Sequence, residues 1–276
     1  MLMPSPLLPI LAVLLLLVPL PGSGLAQTPV VSDVADSIAE YRRMLREGNP
    51  GELWVARGKH LYHTPRGPNG VSLDACDLGL GPGELEGAFA ALPRYFEDAG
   101  RVQDLESRLV FCMTHLQGFD REPLLREAFS SGERESDLEA LAAYVASRSN
   151  GYPLAVELSH PRELEMYRIG EGLFHRRSGP LDLSCATCHS REQRRIRMHG
   201  LMNIHNPAQV RDVMGSWPTY RVSQGTVRTL QHRMWDCHWQ MRLPDVGYGS
   251  DATVALILFL KERARGGEVD VPGVRR

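Results

Sequence analysis

A Cys-x-x-Cys-His run, Cys185-Ala-Thr-Cys188-His189, constrains this 276-residue chain more than any other feature. Two thiols three positions apart can each bond one vinyl group of a porphyrin, and the adjacent histidine then lies under the iron as an axial ligand. A redox-active Cys-x-x-Cys pair is the alternative. The run predicts one covalently bound haem c, attached through Cys185 and Cys188, with His189 on the iron.

The first residues predict export. Residues 7–20 are almost wholly apolar, and residues 24–26, Gly-Leu-Ala, form a small-x-small cleavage site. This pattern is typical of a signal peptide over residues 1–26, and we expect the mature protein in the periplasm with no membrane association. No lysine or arginine precedes the apolar run, so an uncleaved anchor is the alternative. The shortness of the run, with Pro9 and Pro19 inside it, disfavours that alternative.

The chain also repeats itself. Gly58-Lys-His-Leu-Tyr-His recurs as Gly170-Glu-Gly-Leu-Phe-His, and a second set of positions recurs at identical intervals. Fixed intervals over such a length indicate two copies of one domain, roughly residues 33–152 and 153–276. The second set pairs Pro93 with Pro218, Tyr95 with Tyr220, Gly100 with Gly225, Leu105 with Leu230, Arg108 with Arg233 and Cys112 with Cys237.

Helical patterns dominate both copies, and no convincing alternating strand pattern occurs. Loops rich in glycine and proline separate the helical segments. We therefore predict an all-α fold of two tandem cytochrome c-like domains. The predicted helices cover residues 37–46, 51–62, 103–112, 137–148, 163–174, 227–241 and 251–265.

The copies differ at the haem motif. Cys76 of the first copy aligns with Cys185, but Asp-Leu-Gly-Leu follows it in place of a second thiol and a histidine. The first domain therefore cannot hold haem c in the same way, and we predict that it has none.

A six-coordinate haem needs a second axial ligand. Because Cys237 and Cys112 occupy matching positions, a shared fold would put Cys237 across the pocket from Cys185. In the copy without haem it would bring Cys76 near Cys112. We predict a Cys76–Cys112 disulfide and Cys237 as the iron ligand, with a buried inert thiol as the alternative. The other candidate ligands are Met198, His199, Met202, His205, Met214, His232, Met234, Met241 and, as the most credible rival, His238.

Arg233 lies four residues before Cys237, on the same face of the predicted helix. A guanidinium there would lower the thiol pKa and attract an oxyanion substrate. A solvated arginine or a partner for a haem propionate is the alternative, and for Arg242 the solvated face is favoured. The formal net charge of −2 gives no basic field, so we expect no nucleic-acid partner.

With these residues assembled, the chain resembles the SoxA family, the larger cytochrome subunits of the SoxAX complex of bacterial sulfur oxidation. The resemblance covers nearly the whole mature chain. It is carried by Cys76-Asp-Leu-Gly-Leu-Gly-Pro-Gly, by Leu-Pro-Arg-Tyr-Phe at residues 92–96, by Arg101-Val-Gln-Asp-Leu-Glu, and by residues 233–237 with Gln240 and Arg242. The chain is similar to the one-haem members, whose first domain keeps a disulfide in place of a haem.

The resemblance implies a thiosulfotransferase subunit that oxidatively joins thiosulfate to a cysteine of the SoxYZ carrier and delivers two electrons to cytochrome c. It implies that Cys237 is the catalytic, haem-ligating cysteine and carries an extra sulfur as a persulfide. It also implies that Arg233 binds the substrate and that the smaller cytochrome SoxX completes a heterodimer. Two other interpretations stay open: an electron-transfer cytochrome without sulfur chemistry of its own, and a structural subunit.

Overall fold

The computed structural model describes residues 36–37, 40–41, 43–44, 47–132, 134–196 and 199–275. The chain divides after Tyr41, and residues 42–276 form one compact unit. The predicted signal peptide lies outside the described residues, and so does half of the helix predicted for residues 37–46. Within the described ranges, no helix combines the length and hydropathy needed to cross a bilayer.

Helices build the core from residue 47 onward, so the predicted all-α class is confirmed. Short 3₁₀ turns also occur at Ala88–Ala91 and Val222–Gln224. The helices are α1 (Glu52–His63), α2 (Leu105–His115), α3 (Arg121–Arg126), α4 (Asp137–Ser147), α5 (Pro161–His175), α6 (Cys185–His189), α7 (Pro207–Gly215), α8 (Leu230–Gln240) and α9 (Asp251–Arg263).

Short strands accompany the helices, a feature that the sequence analysis missed. Strands of two or three residues are too short to show an alternating pattern. They are β1 (Arg94–Phe96), β2 (Arg101–Gln103), β3 (Arg195–Ile196), β4 (His199–Gly200), β5 (Thr219–Arg221), β6 (Thr226–Arg228) and β7 (Gly273–Arg275). β1–β2, β3–β4 and β5–β6 are antiparallel pairs, and β7 joins β5 in parallel.

The hairpins β1–β2 and β5–β6 correct the predicted starts of two helices. Residues 103 and 227 belong to strands, and α2 and α8 begin only after a capping residue. Asp104 Oδ1 accepts a hydrogen bond from the Ser107 amide at 2.9 Å, and Thr229 Oγ1 accepts one from the His232 amide at 3.2 Å. These caps satisfy amides that would otherwise lack partners, so each helix starts immediately after its hairpin.

In each half, the first and last of these helices cross at a glycine. Gly58 of α1 lies against the carbonyl of Ala140 in α4, and Gly170 of α5 lies against that of Ala255 in α9. A methyl group on either glycine would collide with the facing backbone. The two crossings occur at corresponding places in the halves and bring each pair of helices into close contact.

The two halves share a core within the compact unit. Leu141 of α4 and Phe259 of α9 belong to one apolar cluster. Buried polar contacts also join the halves: His232 Nδ1 lies 2.5 Å from Glu139 Oε1, and Gln231 Nε2 donates to Asp104 Oδ2 at 2.7 Å. The domain boundary between residues 152 and 153 stays a prediction.

Candidate functional site

A cavity in the second half collects the predicted haem and substrate residues. It is open to solvent and is lined by residues of α5 to α9 and of β3, β4, β5 and β7. The wall is largely apolar, with aromatic, leucine and methionine side chains. An apolar wall with a few polar and sulfur side chains suits a planar cofactor such as a porphyrin.

Helix α6 presents the haem motif to the cavity. Ser184 caps the helix by accepting a hydrogen bond from the Thr187 amide at 3.2 Å, which fixes the first turn. Cys185 and Cys188, one turn apart, and His189 all line the cavity. Burial, with the thiols of Cys237 and Cys188 nearby, raises the pKa of Cys185 to about 12.

The ring of His189 is oriented by a backbone carbonyl. Its Nδ1 lies 3.1 Å from the carbonyl oxygen of Met202. A carbonyl can only accept, so Nδ1 carries the proton and the lone pair is on Nε2. Burial lowers the pKa of His189, which favours the neutral ring that a metal requires. Both observations suit an iron ligand.

Helix α8 brings Arg233 and Cys237 to the same cavity. Arg233 lowers the pKa of the Cys237 thiol, as the sequence analysis expected, but burial has the larger effect, and the net shift is upward. The prediction that Arg233 lowers the pKa of Cys237 overall is therefore wrong for the polypeptide alone. An iron ion would supply the charge that favours the thiolate.

The sequence analysis missed the partner of Arg233. Its Nη1 donates to Asp236 Oδ2 at 2.7 Å, and its side chain is 26% exposed. This i,i+3 pair on α8 holds the guanidinium at the cavity wall and leaves its other nitrogens without a hydrogen-bond partner among the described residues. The spacing of Asp236 was the signal that could have revealed the pair.

The rival iron ligands divide by position. His205 and His232 do not line the cavity, and His232 is held by Glu139. Met198 lies outside the described residues. His238 lines the cavity, with Nδ1 2.8 Å from the Pro244 carbonyl oxygen and a buried Nε2 that has no partner within the described part of the chain. The remaining rivals on the wall are His199, Met202, Met214, Met234 and Met241.

Two more arginines on the wall went unnoticed in the sequence. Arg221 of β5 and Arg275 of β7 line the cavity, whereas Arg242 does not. Arg221 aligns with Phe96 of the first copy. This difference between the two copies could have pointed to Arg221. Arg275 belongs to a strand without a counterpart among the described residues of the first half, so the repeat did not indicate it.

In the first half, the corresponding space is filled. Cys76 and Cys112 form a disulfide with their Cα atoms 5.7 Å apart. Arg108, the counterpart of Arg233, is 2% exposed and pairs with Asp98 through both terminal nitrogens at 2.8 Å. Its Nε donates to the carbonyl of Asp77 at 2.6 Å. Arg108 is thus a structural residue and has no free face for a substrate.

The residues of the second half fit a haem c on chemical grounds. Cys185 and Cys188 supply thiols on one helix, and His189 offers Nε2. Cys237 supplies a second candidate iron ligand, and the apolar wall suits a porphyrin face.

Comparison with known proteins agrees with this arrangement. A family model described as the SoxA/TsdA cytochrome c domain matches residues 57–154 and again 169–269. The two matches confirm the predicted pair of cytochrome c-like domains.

Named relatives are similar over most of their length. The L-cysteine S-thiosulfotransferase subunit SoxA of Hydrogenophilus thermoluteolus is 44% identical over 87% of this chain and 88% of its own. The protein of the same name from Hydrogenobacter thermophilus is 33% identical over 81% and 83%. A chain in the crystal structure of SoxXA from P. pantotrophus superposes with a TM-score of 0.70 and 26% identity, covering 86% of this chain and 84% of that one.

Proposed function

This chain belongs to the SoxA/TsdA cytochrome c family, and from that premise we propose that it is the c-type cytochrome subunit of an L-cysteine S-thiosulfotransferase. The enzyme joins thiosulfate to a cysteine of the SoxYZ carrier. One thiol and one thiosulfate give one S–S bond, one proton and two electrons, and cytochrome c takes the electrons. The observation that carries the proposal is that the haem motif, Cys237 and Arg233 line one cavity.

One haem c would be held by thioether bonds to Cys185 and Cys188. His189 would ligate its iron through Nε2, because Nδ1 is engaged by the Met202 carbonyl. The sulfur of Cys237 would also bind the iron. When bound, the haem accepts and passes on electrons one at a time.

Cys237 is also the site where sulfur is conjugated, with an additional sulfur carried on the thiol as a persulfide. The persulfide and thiosulfate form an S–S bond as two electrons pass to cytochrome c. The carrier thiolate then attacks the bound thiosulfate sulfur, which breaks that bond, forms the S–S bond of the product and returns the persulfide.

Arg233 binds and orients thiosulfate. Two sulfur anions repel each other, and a fixed guanidinium offsets that repulsion. Asp236 holds one end of the guanidinium at 2.7 Å, so the remaining N–H groups are available to an oxyanion.

The smaller cytochrome SoxX is the proposed partner in a heterodimer, and the complex acts in the periplasm after removal of residues 1–26. The SoxXA crystal structure, with its TM-score of 0.70, supports the pairing. Thiosulfate, SoxYZ and a soluble cytochrome c acceptor are the remaining partners.

Replacing Cys237 with serine in the complete heterodimer tests the proposal. We expect covalent haem to be retained, the axial-ligand absorption to change, and thiosulfate-dependent turnover to fall by at least about 10³-fold, because the conjugating sulfur is lost. Intact mass and cysteine mapping of the wild type should give one haem, a Cys76–Cys112 disulfide and one extra sulfur on Cys237.

His238→Gln is the matched control, because the neighbouring side chain also lines the cavity. It should keep the absorption spectrum and turnover. A spectrum that changes in His238→Gln but not in Cys237→Ser would assign the iron ligand to His238. Normal turnover in Cys237→Ser would favour an electron-transfer cytochrome or a structural subunit.

A further inference from the structure

Positive charge is concentrated on the wall of the cavity. Arg221, Arg233 and Arg275 line it, and none of its described lining residues is an aspartate or a glutamate. Asp236, the nearby carboxylate, is already engaged by Arg233. The described wall therefore carries excess positive charge.

Arg221 and Arg275 stand side by side. They are register partners on the parallel strands β5 and β7. Arg275 Nη2 donates to Ser216 Oγ at 2.7 Å, while its buried Nε has no hydrogen-bond partner. The guanidinium of Arg221 has no hydrogen-bond or ion-pair partner among the described residues. Two adjacent guanidinium groups thus retain unused donors at the cavity wall.

These charges persist at neutral pH. Burial, followed by repulsion from Arg233, Arg228 and Arg275, lowers the pKa of Arg221 to about 10. The group is still protonated near pH 7. Partly buried cations with unsatisfied donors are costly unless an anion compensates them.

The repeat shows that this charge is particular to the second half. Phe96 stands where Arg221 does, and its ring packs 4.0 Å from the guanidinium carbon of Arg108. The described residues of the first half also include no strand equivalent to β7. The two extra arginines therefore accompany the cavity and are not required by the shared frame.

We propose that Arg221 and Arg275 form a binding site for a carboxylate or oxyanion, and that the propionate carboxylates of the haem occupy it. The inference rests on the haem of the proposed function. A resident anion accounts for charges that are permanent, whereas thiosulfate is present only during turnover. Planar guanidinium groups match the two oxygens of a carboxylate.

Arg221→Gln and Arg275→Gln, each in the haem-loaded heterodimer, test the proposal. Resonance Raman bands of propionate bending should shift in both variants. The ratio of reduced to oxidised haem at a fixed potential should fall several-fold, because a nearby positive charge favours the reduced form. The thiosulfate KM should change less than about threefold, well below the roughly tenfold effect of a lost charged hydrogen bond.

Arg228→Gln is the matched control. Arg228 interacts electrostatically with Arg221 but does not line the cavity, so the Raman bands should stay unchanged. If a glutamine variant fails to load haem, Arg221→Lys and Arg275→Lys keep the charge without the planar fork, and the same band shift is expected.

A KM increase of about tenfold or more with unchanged Raman bands would overturn the resident occupant and assign the site to incoming thiosulfate. Unchanged bands, redox ratio and KM would overturn the anion site itself. Failure of the proposed function can be told apart from failure of the anion site. A heterodimer that never turns over thiosulfate would still give the Raman and redox results.

Discussion

The two halves of this protein have the same frame around different contents. Hairpins β1–β2 and β5–β6 have identical pairing, with Tyr95 opposite Val102 and Tyr220 opposite Val227. A capped helix follows each hairpin, and a glycine crossing closes each half. The frame is therefore compatible with either a filled centre or a cavity.

The halves differ in the groups that fill the centre of each half and in the groups that neutralise its arginine. In the first half, a disulfide spans the space, and Asp98 locks Arg108 in place. In the second half, three thiols remain free around the cavity, and Ser223 stands where Asp98 would be. Arg233 pairs with Asp236 through one nitrogen only, so its other donors are available to the thiosulfate that we propose it binds.

Removal of the disulfide should produce the largest effect on the first half. The Cys76→Ala/Cys112→Ala double variant should lose about 4 kcal/mol of unfolding free energy, because the bond closes a loop of 36 residues in sequence. Covalent haem and its spectrum should be unaffected. Urea denaturation of the mature holoprotein measures the change. A loss below about 1 kcal/mol would mean that packing alone holds this half.

A carboxylate introduced into the second half at the position of Asp98 should prevent Arg233 from binding thiosulfate. Ser223→Asp should pair with Arg233 as Asp98 pairs with Arg108, and the thiosulfate KM should rise about tenfold or more. Steady-state kinetics of the heterodimer measure it. Gln224→Asp is the matched control, since it adds the same charge one residue away in the same exposed turn. If both variants raised the thiosulfate KM equally, the cause would be general charge repulsion and not pairing with Arg233.

The sequence predicted the elements that depend on short-range pattern or on the repeat. The helices predicted at residues 51–62, 137–148, 163–174 and 251–265 followed from periodicity, and the two-domain fold followed from matched intervals. Helices α3, α6 and α7 were not predicted, although the haem motif occupies α6. The proximity of Cys76 to Cys112 followed from the alignment with Cys185 and Cys237.

Features that depend on tertiary contact were not predictable in the same way. The hairpins are too short for a periodic signal, so the starts of α2 and α8 were misplaced. Arg275 reaches the cavity only because β7 pairs with β5. The upward pKa shift of Cys237 depends on burial, which no local pattern gives.

A smaller effect on stability is expected at another position where the two halves carry different residues. Glu106 occupies the position of Gln231 and is 5% exposed. Burial, followed by repulsion from Asp104, raises the pKa of Glu106 well above its usual range. The folded protein therefore holds a proton that the unfolded chain releases. The stabilisation is complete below about pH 4.3 and is lost as the pH rises through the folded-state pKa.

Glu106→Gln installs the neutral residue of the second half and should remove this pH dependence. Between pH 5 and 7 the wild type should lose up to about 1.4 kcal/mol per pH unit relative to the variant, because one proton is released on unfolding. Urea denaturation across that range measures the slope. Glu97→Gln, at an exposed position, is the control and should track the wild type. Parallel slopes for wild type and Glu106→Gln would show that this buried carboxyl is ionised in the folded protein.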